Sequence, residues 1–186
     1  MPLDQATHGF PPNPYNPHAW VIGEPEIGEG CWIGAFTVLD GSGGLTIGKG
    51  CDLSCGVQIY THSTVRRVIS ARSFPDPERQ PTHIGDHCHL GANAVVLMGC
   101  DIGDHSIVGA GAIVREGTIA PPWSVIVGVP GRVLPDAARR YGQQPDGWVP
   151  KICPSSRYDL IGRTFVLAMT PGPRRPATSV GVTVTR

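Results

Sequence analysis

Aliphatic residues recur every six positions through most of the middle of the chain, and a fixed short period of this kind marks a repeat architecture in which each unit contacts mainly its neighbours. One run holds Ile27, Ile33 and Leu39, a second Ile47, Leu53 and Ile59, and a third, uninterrupted, Ile84, Leu90, Val96, Ile102, Val108 and Val114. The residue four places after each of these is compact: Cys31, Thr37, Gly43, Cys51, Val57, Ser63, Cys88, Ala94, Cys100, Ser106, Ala112 and Thr118. Glycine directly follows many of the leading residues, as in Ile27-Gly28, Ile33-Gly34, Ile47-Gly48, Ile84-Gly85, Leu90-Gly91, Ile102-Gly103 and Val108-Gly109.

A hexad of this composition predicts one short strand and one corner. Three hexads close a triangular coil, and successive coils stack as parallel strands about 4.8 Å apart. The aliphatic leader fills the interior and the small residue fits the tight corner. The expected fold is an all-β, left-handed parallel β-helix, of which these hexads supply four coils. Of the six cysteines, Cys31, Cys51, Cys88 and Cys100 fall on the small position, which makes them compact hydrophobes. With no CxxC pair and no secretion signal, all six are expected to be reduced thiols.

Two insertions interrupt the count, and insertions in a solenoid map to loops, often on a binding face. Leu39 to Ile47 spans eight residues, adding two at Gly41-Ser42-Gly43-Gly44, whereas Ile59 to Ile84 spans twenty-five. The longer one predicts a protruding loop over residues 63–82, charged and proline-containing. If that loop leaves and rejoins at one corner, the Leu39, Ile59, Val96 and Val114 hexads share a face, and Asp40 and His62 lie on adjacent coils. The predicted organisation is an N-terminal arm (1–18), the β-helix (19–134) and a C-terminal region (135–186). The last of these comprises a short helix over 134–144 that covers the final coil, then a Pro-, Gly- and Arg-rich tail. Strand-like pieces at 163–169 and 179–185 lie in that tail, which is expected to wrap a neighbouring subunit or to stay partly disordered.

Composition agrees with a turn-dense β architecture: 25 glycines and 19 prolines accompany only 6% aromatic residues. The formal net charge is zero, so no general attraction to nucleic acid or anionic membranes is expected. No stretch approaches the ~20 apolar residues of a membrane span, and the N-terminal residues carry no basic-then-apolar leader, so a cytoplasmic location is expected.

Four segments together carry a family resemblance: 39–48 (LDGSGGLTIG), Ile59-Tyr60-Thr61-His62, 84–96 (IGDHCHLGANAVV) and 127–133 (VGVPGRV). They resemble the hexapeptide-repeat acyltransferases, in the branch of galactoside, maltose and nodulation-sugar O-acetyltransferases and the acetyltransferases of polysaccharide pathways. The resemblance covers about residues 19–134. It implies a homotrimer that moves an acetyl group from acetyl-CoA directly to a hydroxyl or amine of a sugar, nucleotide sugar or sugar-containing natural product, with no metal required. It implies His62 as the general base, since a histidine before the protruding loop has that role in the family, and a neutral imidazole suits such work. Asp40 is expected to orient the imidazole or bind a sugar hydroxyl, its bland alternative being a turn-forming residue before glycines. For coenzyme A the resemblance implies Ala92 and Ala110 along the groove between subunits, with Arg115 and Arg132 meeting the phosphates. Backbone N–H groups or the Ser42 hydroxyl would serve a tetrahedral oxyanion.

Two departures bear on the acceptor: His89 stands where many relatives have tryptophan, and Ser63 where the sugar-transferring branch often has aspartate. His83, His87, His89 and His105 also invite a zinc reading of the carbonic-anhydrase type. Against it, Ala92 and Met98 occupy two of the three places where that pattern expects histidine. A catalytically silent scaffold is a further alternative, because fold alone does not establish activity. A serine-type acetyltransferase is another, although the large helical N-terminal region of that family has no counterpart in this sequence.

Overall fold

The computed structural model of the chain describes residues 12–142. Short parallel strands form the three faces of a β-helix. The first face stacks Trp20–Ile22, Val38–Asp40, Gln58–Ile59, Val95–Val96 and Ile113–Val114. The second stacks Glu26–Ile27, Leu45–Ile47, Thr82–Ile84, Asp101–Ile102 and Ile119–Ala120, and the third Trp32–Ile33, Asp52–Leu53, His89–Leu90, Ile107–Val108 and Val125–Val127. Leu39, Ile59, Val96 and Val114 stand in register on the first face, as the hexad count requires.

The leading residues form one apolar column: Leu39, Leu53, Ile59, Ile84, Leu90, Val96, Ile102 and Val108 are each fully buried. Burying each such side chain contributes about 1.5–3 kcal/mol, which is what holds so turn-rich a chain together. The glycine after the leader has a steric cause. A Cβ on Gly28 would stand 2.5 Å from the Lys49 nitrogen of the next coil, and one on Gly91 2.5 Å from that of Ala110. The coils approach too closely at those corners for any side chain.

Two expectations change and one element is added. The described residues form five coils rather than four, because Val21 precedes the first run and Ala120 and Ile126 continue the last at the same spacing. The segment Arg132–Leu134 runs back antiparallel on Val125–Val127 and closes the final coil with a strand. The predicted helix over 134–144 is a 3₁₀ turn, Ala137–Tyr141. It does cover the last coil: Ala138 N–H donates to the Trp123 carbonyl at 2.9 Å, and the Arg139 guanidinium lies 5.0 Å from the Trp123 ring. The strand-like pieces expected at 163–169 and 179–185 lie outside the described residues.

The histidines considered for zinc have other positions. His87 and His105 stack ring on ring at one corner, centroids 5.1 Å apart, and His105 stacks on Trp123 at 4.3 Å. His83 and His89 project outward from strands of two different faces. Among the described residues no group of three or more His, Cys, Asp or Glu could hold a metal ion.

Cys51, Cys88 and Cys100 are buried at small positions and Cys31 is half-buried, whereas Cys55 is exposed at a corner. The Cys100 thiol donates to the Arg115 carbonyl at 3.1 Å, and burial pushes the Cys31 and Cys100 thiols above their ordinary pKa. Since the thiolate is the reactive form, alkylation of the native protein should label Cys55 first among these five. Cys51, Cys88 and Cys100 should react only after denaturation. Peptide mass spectrometry over a time course reads this directly, and labelling of Cys100 at the rate of Cys55 would contradict the packing.

Candidate active site

Register on the first face decides what meets at its corner with the second. Leu39 pairs with Ile59, so the chain leaving Val38–Asp40 and the chain leaving Gln58–Ile59 turn the same corner one above the other. Asp40 is fully buried there. Its Oδ1 accepts the Ser42 N–H at 3.0 Å, and its Oδ2 accepts the Thr61 N–H at 2.9 Å and lies 2.5 Å from His62 Nδ1. The Thr61 hydroxyl stands 2.7 Å from the Asp40 carbonyl oxygen and 3.1 Å from Oδ2, and it accepts the Gly43 N–H at 2.8 Å.

Burial raises the Asp40 pKa, but the hydrogen bonds from Ser42, from the Thr61 backbone and from His62 outweigh it and hold the carboxyl well below the usual carboxylate range. An ionised carboxylate accepts only, so the proton of the 2.5 Å contact belongs to Nδ1. In the neutral ring Nε2 then carries the free lone pair. The His62 side chain is 31% exposed, enough for that nitrogen to meet a solute, while its Asp40 partner is sealed from water.

His62 also opens the excursion. His62–Ser63 pairs antiparallel with Glu78–Arg79, and Gln80 N–H donates to the Thr61 carbonyl at 3.0 Å. Between them lie a short helix, Val65–Ile69, and a turn; Arg66 of the helix contacts Glu78 at 3.5 Å and the Phe74 ring at 3.9 Å. The loop leaves from the first face and rejoins on the second at Thr82–Ile84, so it exits and returns at one corner.

Of the six residues singled out in the sequence, the fold brings Asp40 and His62 into contact. Arg115 is exposed at the same corner, two coils beyond Tyr60 by register, and lines an open cavity with Leu97 and Glu116. Ala92 and Ala110 are exposed and stacked at a different corner, between the third and first faces, where the Gly111 N–H meets the Ala92 carbonyl at 2.9 Å. Arg132 is exposed on the closing strand opposite Val127. A single copy of the chain therefore keeps the alanine pair away from His62.

Thr61 and Arg79 belong to this corner and carry no signal in the repeat. Thr61 stands two places after its leader, the position held elsewhere by exposed Glu29, Cys55, Ala92, Asp104 and Glu116, yet it is fully buried. The six-residue period assigns it to the surface.

Comparison with known proteins follows the same division into repeat and excursion. The family described as the hexapeptide repeat of succinyl-transferase matches residues 26–61 and 81–116, the coils on either side of the loop. On both sides of the loop the chain therefore carries the hexapeptide repeat. It is 33% identical over 150 residues to a serine acetyltransferase of Mycobacterium tuberculosis, covering 80% of this chain and 62% of that protein. The chain thus spans less than two thirds of that relative's length. Among solved structures it resembles a hexapeptide-repeat containing acetyltransferase from Vibrio cholerae, at 30% identity and a TM-score of 0.53, over 59% of this chain and 61% of that one. The N-acyltransferase AntD from Bacillus cereus, solved with dTDP and coenzyme A, shares the fold at 22% identity and a TM-score of 0.55, over 63% and 66% of the two chains. Among the described residues no helix is long and apolar enough to cross a membrane.

Proposed function

We propose that this chain is a hexapeptide-repeat acyltransferase that transfers an acetyl group from acetyl-CoA to a hydroxyl or amine of a sugar-like small molecule, with His62 as general base and Asp40 as the residue that fixes its tautomer. The observation that carries the reading is the 2.5 Å contact between His62 Nδ1 and the buried Asp40 carboxylate at the neck of the excursion loop. Acetyl-CoA supplies an activated thioester. His62 Nε2 takes the acceptor's proton as the acceptor oxygen or nitrogen bonds to the thioester carbonyl carbon, and Asp40 stabilises the imidazolium that results. The same nitrogen returns the proton to the departing sulfur as the C–S bond breaks. Backbone N–H groups and the exposed Ser42 hydroxyl are the donors at this corner for the oxyanion.

The exposed Ala92 and Ala110 leave room along their corner for a pantetheine arm, and Arg115 and Arg132 are exposed cations suited to the coenzyme A phosphates. Because those alanines stand at a different corner from His62, the reading places the donor in a groove between two copies of a homotrimer, in the cytoplasm. A second reading, an amino alcohol of the serine type as acceptor, is favoured by the name of the M. tuberculosis relative.

The test is release of free thiol from acetyl-CoA by the purified full chain against sugars, nucleotide sugars, aminoglycosides and serine. Acceptor-dependent release with a sugar-bearing compound is the expected result. Release with serine alone moves the assignment to the second reading. No release with any acceptor returns the chain to the scaffold alternative.

A further inference from the structure

The antiparallel pair at the base of the loop puts a cation beside the imidazole. His62 and Arg79 are directly opposite one another, as are Ser63 and Glu78. Thr61 and Gln80 form the next pair, joined by the Gln80 N–H at 3.0 Å. Hydrogen-bonded and non-hydrogen-bonded pairs alternate along an antiparallel ladder, so His62 and Arg79 form a non-hydrogen-bonded pair. That is the class whose Cα atoms stand only about 4.5 Å apart and whose side chains lie closest. Residues directly opposite also project to the same face. The Arg79 side chain therefore rises next to that of His62, while Ser63 and Glu78 project to the other side.

The neighbouring charges leave Arg79 uncommitted. Glu78 contacts Arg66 at 3.5 Å, Asp40 is occupied by Ser42, Thr61 and His62, and among the described residues Arg79 forms no ion pair. Its backbone is pinned by the ladder to the residue proposed as base, and its side chain is exposed. A guanidinium so placed reaches a group that lies one arginine length from the atom losing its proton to Nε2. Its donor fork suits a phosphate or a carboxylate.

We infer that the acceptor carries an anionic group, a phosphate or a carboxylate, and that Arg79 binds it and so sets which acceptors are acylated. The inference rests on the acetyl-transfer reading and narrows its substrate class. It favours phosphorylated and nucleotide sugars over neutral ones, and it applies equally to a carboxylate-bearing acceptor.

The experiment measures kcat and KM by thiol release from acetyl-CoA with matched acceptors: a sugar phosphate against its free sugar, a nucleotide sugar against a neutral glycoside, and serine against serinamide. The wild type should favour the anionic member of the productive pair. Arg79→Gln should raise KM for that member by roughly tenfold to a hundredfold, the loss expected for one charge-assisted hydrogen-bonded contact. Its effect on KM for acetyl-CoA and on turnover of the neutral member should be much smaller, and Arg79→Lys should recover part of the loss. A wild type indifferent to acceptor charge overturns the inference while leaving acetyl transfer intact. So does an Arg79→Gln variant whose defect falls on KM for acetyl-CoA, which would assign the residue to the donor. Absence of thiol release with every acceptor in the panel overturns the transfer reading and this inference with it.

Discussion

His62→Ala is expected to lower kcat by roughly 10²–10⁴, the usual contribution of a positioned general base, while KM for acetyl-CoA stays close to the wild-type value. The fold should tolerate the change. The imidazole is 31% exposed and packs into no core, and Asp40 keeps its donors from Ser42 and Thr61 when the ring is removed. Thermal unfolding of the variant should therefore remain close to that of the wild type, which separates loss of chemistry from loss of structure. A small exogenous base such as imidazole should restore part of the rate to His62→Ala, since the cavity left at the loop neck opens to solvent. Wild-type turnover in this variant, measured with an acceptor that the parent protein acetylates, would remove His62 from the mechanism.

The parts of this site that the sequence made legible are those that the six-residue period fixes. Ile, Leu and Val leaders must face the interior, so Leu39 and Ile59 had to stack, and a loop that begins and ends at one corner leaves Asp40 below His62. The fifth coil was harder to see for a physical reason. Ala120 occupies a leading position with a small side chain, and Pro121-Pro122 stand where glycine follows most leaders, although Ile126 resumes the period. The final helix became a 3₁₀ turn because Asp136, in a left-handed conformation, precedes a run of only five residues that ends at Gly142. Thr61 and Arg79 obey no period. Their placement depends on how the excursion folds back and on the register of two two-residue strands, which local pattern does not encode.

Asp40→Ala should cost both stability and turnover, and comparison with Asp40→Asn distinguishes an active-site carboxylate from a turn-forming one. Removing the side chain leaves the N–H groups of Ser42 and Thr61 without their acceptor at a fully buried point, and frees His62 to adopt either tautomer. The expected loss is about 2–6 kcal/mol near neutral pH, since each of the two donors left without an acceptor costs about 1–3 kcal/mol. The sign with pH follows from the depressed carboxyl. A folded-state pKa below the unfolded value of about 3.9 means that the stabilisation is complete above that value and is lost as pH falls through the folded pKa. Urea unfolding should therefore show the gap between wild type and Asp40→Ala at full size at pH 7, narrowing only in strong acid. Asp40→Asn keeps the volume of the side chain and an acceptor oxygen for Ser42 or Thr61, but removes the charge that holds the Nδ1 proton. If Asp40 acts through His62, Asp40→Asn should recover much of the lost stability and little of the lost kcat, which should stay roughly 10²–10⁴ below wild type. If it recovers both together, Asp40 serves the turn at Gly41-Ser42-Gly43-Gly44 and not the imidazole.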